Sequence, residues 1–208
     1  VRSKIEGLSI ECRPTLDDAH PLVKMSSPLL REGGDGREVR HRRRCVAVEV
    51  RPEQLDRALR IADGLFRAME SLGYAVEVTE PQPFPRNDRG IATQDAVPSE
   101  TRLRFGDAVV GIDLHEGTQL SAAEGKPVLV LEITNPEPGV GRSSWCDLKT
   151  RSLESQLKEA VREIALNAVV KQAKADDQRQ REEEVRREAD AKAKAERELQ
   201  MIRDLDER

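Results

Sequence analysis

Aromatic side chains are nearly missing from this chain. They make up 2% of its 208 residues, too few to build a stacking platform for unpaired bases. Charged residues make up 36%, so a core spread over the full length is excluded and the apolar residues must be concentrated in part of the chain. Cysteine is sparse as well. Cys12, Cys45 and Cys146 are odd in number and far apart, with no CxxC and no histidine beside them at zinc spacing. That excludes a disulfide framework and fits three unpaired thiols in a reducing cytoplasm. No apolar run approaches the roughly 20 residues of a membrane span, and no signal peptide opens the chain. The net charge of −4 argues against a generally basic, nucleic-acid-like surface, though not against a local basic patch.

The most regular stretch runs from Cys45 to Glu80. Val46, Val48 and Val50 alternate, which predicts a strand over Cys45 to Val50. Pro52 and Glu53 suit the first turn of a helix. Leu55, Leu59, Ala62, Phe66, Met69 and Leu72 then recur at steps of three and four and predict one buried stripe. Gly73 is placed to cap that helix, and Tyr74 to Val78 reads as the next strand. The strand-to-helix turn is Arg-Pro-Glu, so it offers no glycine-rich phosphate cradle, and no cofactor is expected.

Before this unit, Asp17 to Leu30 suggests a short helix, capped by Asp17 or Asp18 and ended early by Pro28. Gly33 to Gly36 reads as a loop. After the unit, Pro81 to Glu100 reads as a long loop. Thr101 to Phe105, Ala108 to Glu116 and Pro127 to Thr134 alternate as three more strands, in an antiparallel meander. A last helix from Leu153 buries Leu157, Val161, Ile164 and Ala168. Its stripe fades after Lys171. Continued to Leu205, it would be about 80 Å long.

Three patterns carry candidate chemistry. Arg40, Arg42, Arg43 and Arg44 form a basic run that suits phosphates, and equally suits a solvated lead-in to the first strand. Asp113 and Glu132 lie on consecutive strands, on the face away from the apolar residues, with His115 beside them. Metal-dependent nucleases place an Asp and a Glu-x-Lys so, with oxygen ligands for Mg²⁺. Here Thr134 stands where the Lys belongs, and polar residues on a wet sheet face explain the pattern as well. Trp145 and Asp147 suit packing and helix capping, while Cys146 lacks a histidine in sequence to make it a nucleophile. The charged tail counts ten basic and twelve acidic side chains from Lys174 to Arg208, a near balance that suits a solvated helix. It carries i,i+4 pairs such as Glu183 with Arg187 and Glu188 with Lys192. A weak heptad places Val185, Lys192 and Leu199 at a, and Glu188, Ala195 and Ile202 at d.

The stretches RPEQLDRALRIADGLFRAMESLGY and RSSWCDLKTRSLESQL, with the Arg/Glu-rich helix after them, resemble a group of uncharacterised bacterial proteins. The resemblance covers roughly Arg40 to Arg208. In that group a similar domain often follows an N-terminal helix-turn-helix segment, which implies an association with DNA. No such pattern precedes residue 44 here.

The expectation is an α+β fold: a mixed sheet of about five strands against one amphipathic helix and the first half of a long C-terminal helix. Residues 1–44 form an irregular segment, 45–171 the domain and 172–208 a charged tail. The expected function is a non-enzymatic binding or regulatory module. A nuclease using Asp113 and Glu132, or a structural protein oligomerising through its tail, are the alternatives. Expected partners are nucleic acid at the basic run, and a protein or second copy at the tail.

Overall fold

A computed structural model describes residues 5–33, 36–82, 97–118 and 127–206. The fold is α+β. Its elements are α1 (Pro21–Glu32), α2 (Gly36–Arg42), β1 (Val48–Glu49), α3 (Pro52–Ser71), β2 (Ala75–Val78), β3 (Thr101–Phe105), β4 (Ala108–Thr118), β5 (Pro127–Ile133), β6 (Ser144–Cys146) and α4 (Leu157–Asp206). Strands β2 to β6 form an antiparallel sheet in chain order. β1 pairs parallel to β4, with Val48 beside Leu114, just past the point where Thr101 of β3 pairs with Ile112. The sheet is therefore mixed, with β1 taking up the edge of β4 that β3 leaves.

Period-2 alternation sends Leu103, Val110, Ile112, Leu131 and Ile133 to one buried face. The apolar stripes of α3 and of the first turns of α4 cover it. Leu59, Phe66 and Met69 of α3 are 2% exposed or less, as are Leu157, Val161 and Ile164 of α4. α3 begins at Pro52 and ends before Gly73, whose φ of 91° is the left-handed conformation glycine adopts without a Cβ clash. α1 packs against α3, and its Val23 and Leu30 are buried in the common core.

Several local expectations need correction. The first strand pairs only at Val48–Glu49, because the N–H groups before it go to hydroxyls. Cys45 N donates to Ser99 Oγ, Val46 N to Ser26 Oγ and Ala47 N to Thr101 Oγ1. The backbone is buried and satisfied without a ladder. α1 starts later than Asp17 or Asp18, capped by His20, whose Nδ1 accepts from Leu22 N. It runs through Pro28 to Glu32. Lys24, whose carbonyl loses its partner there, is exposed to water. Gly36 opens a helix instead of belonging to a loop. A Cβ on it would lie 2.4 Å from Val48 O, so only glycine lets α2 lie this close to β1. α1 and α2 both precede residue 44, and the sequence predicts only the first of them. α2 has only seven residues and buries Val39 and Arg40. Finally, Ser144–Cys146 is a sixth strand rather than a lead-in, and a 3₁₀ turn (Glu154–Gln156) precedes α4.

α4 is 50 residues long, or about 75 Å. Apolar burial along it stops at Ala168, but polar contacts with the body continue. Gln172 Oε1 accepts from the N–H groups of Asp107 and Ala108, Lys174 pairs with Glu137, and Arg179 pairs with Asp107 at 2.9 Å. From Asp177 to Arg197 every residue is exposed. Among the described residues, no helix is long and apolar enough to cross a membrane.

Candidate functional site

Two of the sequence candidates meet at one point. Arg40 comes off α2 toward the polar face of the sheet. Its Nη1 lies 2.7 Å from Glu49 Oε1 and 3.1 Å from Asp113 Oδ2. Its Nε donates to Ser99 O, and Ser99 N donates back to Arg40 O. The Arg40 side chain is 5% exposed. One guanidinium thus joins α2, β1, β4 and the segment before β3. A buried charge is tolerated only with such partners.

The rest of the basic run faces outward. Arg42 pairs with Glu38, one turn back on α2. Arg44 Nε donates to Val78 O, a carbonyl of edge strand β2, and its guanidinium lies 3.6 Å from Glu80. A charged group on an edge carbonyl keeps a further strand from adding there. Arg43 is exposed and makes no ion pair with a described residue. With Arg42 it lines a groove of about 300 Å³ between the end of α1 and α2, which Glu32 and Glu38 also line.

Asp113 and Glu132 are direct cross-strand partners on β4 and β5. Glu132 is exposed, but the Asp113 carboxylate is taken by Arg40. Glu49, His115, Val130 and Cys146 form the next row across β1, β4, β5 and β6. Two strand spacings, about 10 Å, separate His115 from Cys146, so they are no dyad. Burial pushes the Cys45 thiol up and the Cys12 thiol to about 11, so both stay protonated. Among the described residues, no three or more His, Cys, Asp and Glu side chains are grouped to hold a metal.

Asp147 has a role that sequence reading placed only loosely. Its carboxylate accepts from Leu153 N, at the start of the last helical turns, and from Leu129 N. It also takes two 2.7 Å bonds from Arg57, and Arg57 reaches Glu154 at 2.8 and 2.7 Å. Burial raises the Asp147 pKa, but Arg57 and the two backbone donors outweigh it and hold the group below the usual carboxylate range. Arg57 also holds Glu154 low, against its burial. The cluster clamps β6 and the root of α4 onto α3. In sequence Arg57 is indistinguishable from its neighbours on the polar face of α3. The lone Trp145, two residues before Asp147, is the mark of this region in the sequence. Trp145 is fully buried, with Arg142 over its ring at 5.8 Å.

No protein-family model matches the chain, and no curated protein or solved structure matches it.

Proposed function

We propose that the chain is a non-enzymatic binding module in which the α+β body carries a charged helical arm to a macromolecular partner. The observation behind this reading is the length of α4, which outlasts its own core by more than half of its 50 residues. A helix that is polar all round is a bridge to something else, or is held by its own i,i+4 pairs. Among the described residues of the arm, Arg187 pairs with Glu183 at 3.5 Å and Gln178 donates to Glu182 at 2.8 Å. The test compares the full chain with a chain ending at Gln180. Self-association by sedimentation and duplex-DNA binding by anisotropy are measured on both. Binding or association that disappears with the arm supports the reading. Association kept without the arm overturns it.

Nucleic acid at Arg42, Arg43 and Arg44 is a second reading, favoured by Arg43, which pairs with no described residue, and by the groove it shares with Arg42. The resemblance to proteins with an upstream helix-turn-helix points the same way. A nuclease at Asp113 and Glu132 fits less well, since a metal would have to displace Arg40 from Asp113.

A further inference from the structure

The arm of α4 carries a charge pattern that repeats with opposite sign when the helix is reversed. About a centre between Glu184 and Val185, Arg181 stands opposite Glu188, and Asp177 stands opposite Lys192. At 3.6 residues per turn, these four side chains fall within about 30° of one line along the helix. All four are exposed, and none is held by an ion pair or hydrogen bond to a described residue. Arg181 and Glu188 are two turns apart, about 10 Å, so they cannot pair within one chain, and Asp177 with Arg181 and Glu188 with Lys192, though spaced i,i+4, form no ion pair in the structure.

The apolar residues obey the same centre. Val185 is 66% exposed and lies beside the line, half a residue from the centre. Val170, half-buried at the body end of the line, is as far from the centre as Leu199. Leu166, 45% exposed, matches Ile202 to within one residue. Charge reversal and apolar matching are separate features of the sequence, and they select one register.

We infer that two copies of the chain pair through α4, antiparallel, in this register. The inference rests on the reading of the arm as the binding element. Each copy offers the same surface, so the contact is isologous and closes as a dimer. Arg181 of one copy meets Glu188 of the other twice, and Asp177 meets Lys192 twice. Val185 of each copy flanks the twofold axis, opposite Glu184 of the other and one residue from its own counterpart. Parallel pairing in register would set like charges opposite one another instead. The stretch from Lys174 to Ala195 overlaps over about 32 Å. Exposed ion pairs contribute little each and are screened by salt, so the dimer is weak and salt-sensitive.

Sedimentation equilibrium of the full chain at low and high salt tests this. The expected result is a concentration-dependent dimer at low salt that dissociates at high salt. Arg181→Glu alone, or Glu188→Arg alone, should abolish it by setting like charges opposite in both contacts. The double variant Arg181→Glu with Glu188→Arg should restore it. All these positions are exposed, and circular dichroism checks that the helix persists. A wild-type chain that stays monomeric at every concentration overturns the inference. So does a dimer indifferent to Arg181→Glu, or a double variant that stays monomeric. A dimer that survives in a chain ending at Gln180 sinks the arm reading as well. A dimer lost with the arm but unmoved by the charge swaps sinks only this register.

Discussion

Nη1 of Arg40 lies 3.1 Å from Oδ2 of Asp113, a residue 73 positions further along the chain. Glu49 shares the same nitrogen at 2.7 Å. Removing the guanidinium would leave two carboxylates without their cation and free the Ser99 carbonyl. Arg40→Met is therefore expected to cost about 3–5 kcal/mol, the range for breaking a buried pair. Arg43→Met, at an exposed site with no ion pair to a described residue, should stay within about 0.5 kcal/mol. Urea unfolding of the two variants checks this. Equal midpoints would mean that the Arg40 cluster does not hold the fold.

The same geometry changes what a nucleic-acid experiment should show. If the basic run holds phosphates, the log of duplex affinity falls linearly with the log of salt. Replacing Arg42, Arg43 and Arg44 with Ala should flatten that slope by up to about 3 units. Arg40 is committed to Asp113 and Glu49 and should add nothing to the slope. A wild-type chain that binds no duplex at low salt ends the nucleic-acid reading.

Acid should weaken the clamp between Arg57, Asp147 and Glu154. Both carboxyls are held below their unfolded values, which lie near about 4. Stability from such groups is fully present above the unfolded pKa. It is lost as pH falls through the lower folded values. The urea midpoint should therefore drop steeply below about pH 4. Arg57→Met should lower the neutral-pH stability and flatten that acid limb. A steep limb that survives in Arg57→Met would place the acid-sensitive groups elsewhere.

What could be read from the sequence was whatever repeats locally. The α3 stripe from Leu55 to Met69 and the alternation of β3, β4 and β5 have periods long enough to recognise, and their burial follows. β6 has three residues, too few for alternation to be seen. β1 is cut short by Ser26, Ser99 and Thr101, hydroxyls brought together only by the fold. The candidate sites failed to separate for the same reason. A run of arginines looks uniformly solvated in sequence, and Asp113 looks free. That one arginine is buried on that one carboxylate is decided by the approach of α2 to β1, which depends on Gly36.

The polar contacts beyond Ala168 set where the chain can be cut. A boundary at Lys171, where the apolar stripe fades, would remove Gln172. Its Oε1 accepts from two backbone N–H groups in the turn between β3 and β4. Each lost bond of this kind costs about 0.5–1.5 kcal/mol, and the Lys174 and Arg179 pairs with the body would go with it. A chain ending at Gln180 keeps all of these contacts. It should melt within a few degrees of the full chain, whereas a chain ending at Lys171 should melt clearly lower. Hydrogen exchange on dilute full-length protein should show the same boundary. Protection is expected to persist to about Arg179 and to be low from Arg181 to Arg197, where every side chain is exposed. If the two truncations melt together, the contacts of Gln172 and Arg179 add nothing to the fold. If neither folds, the far half of α4 docks on the body after all.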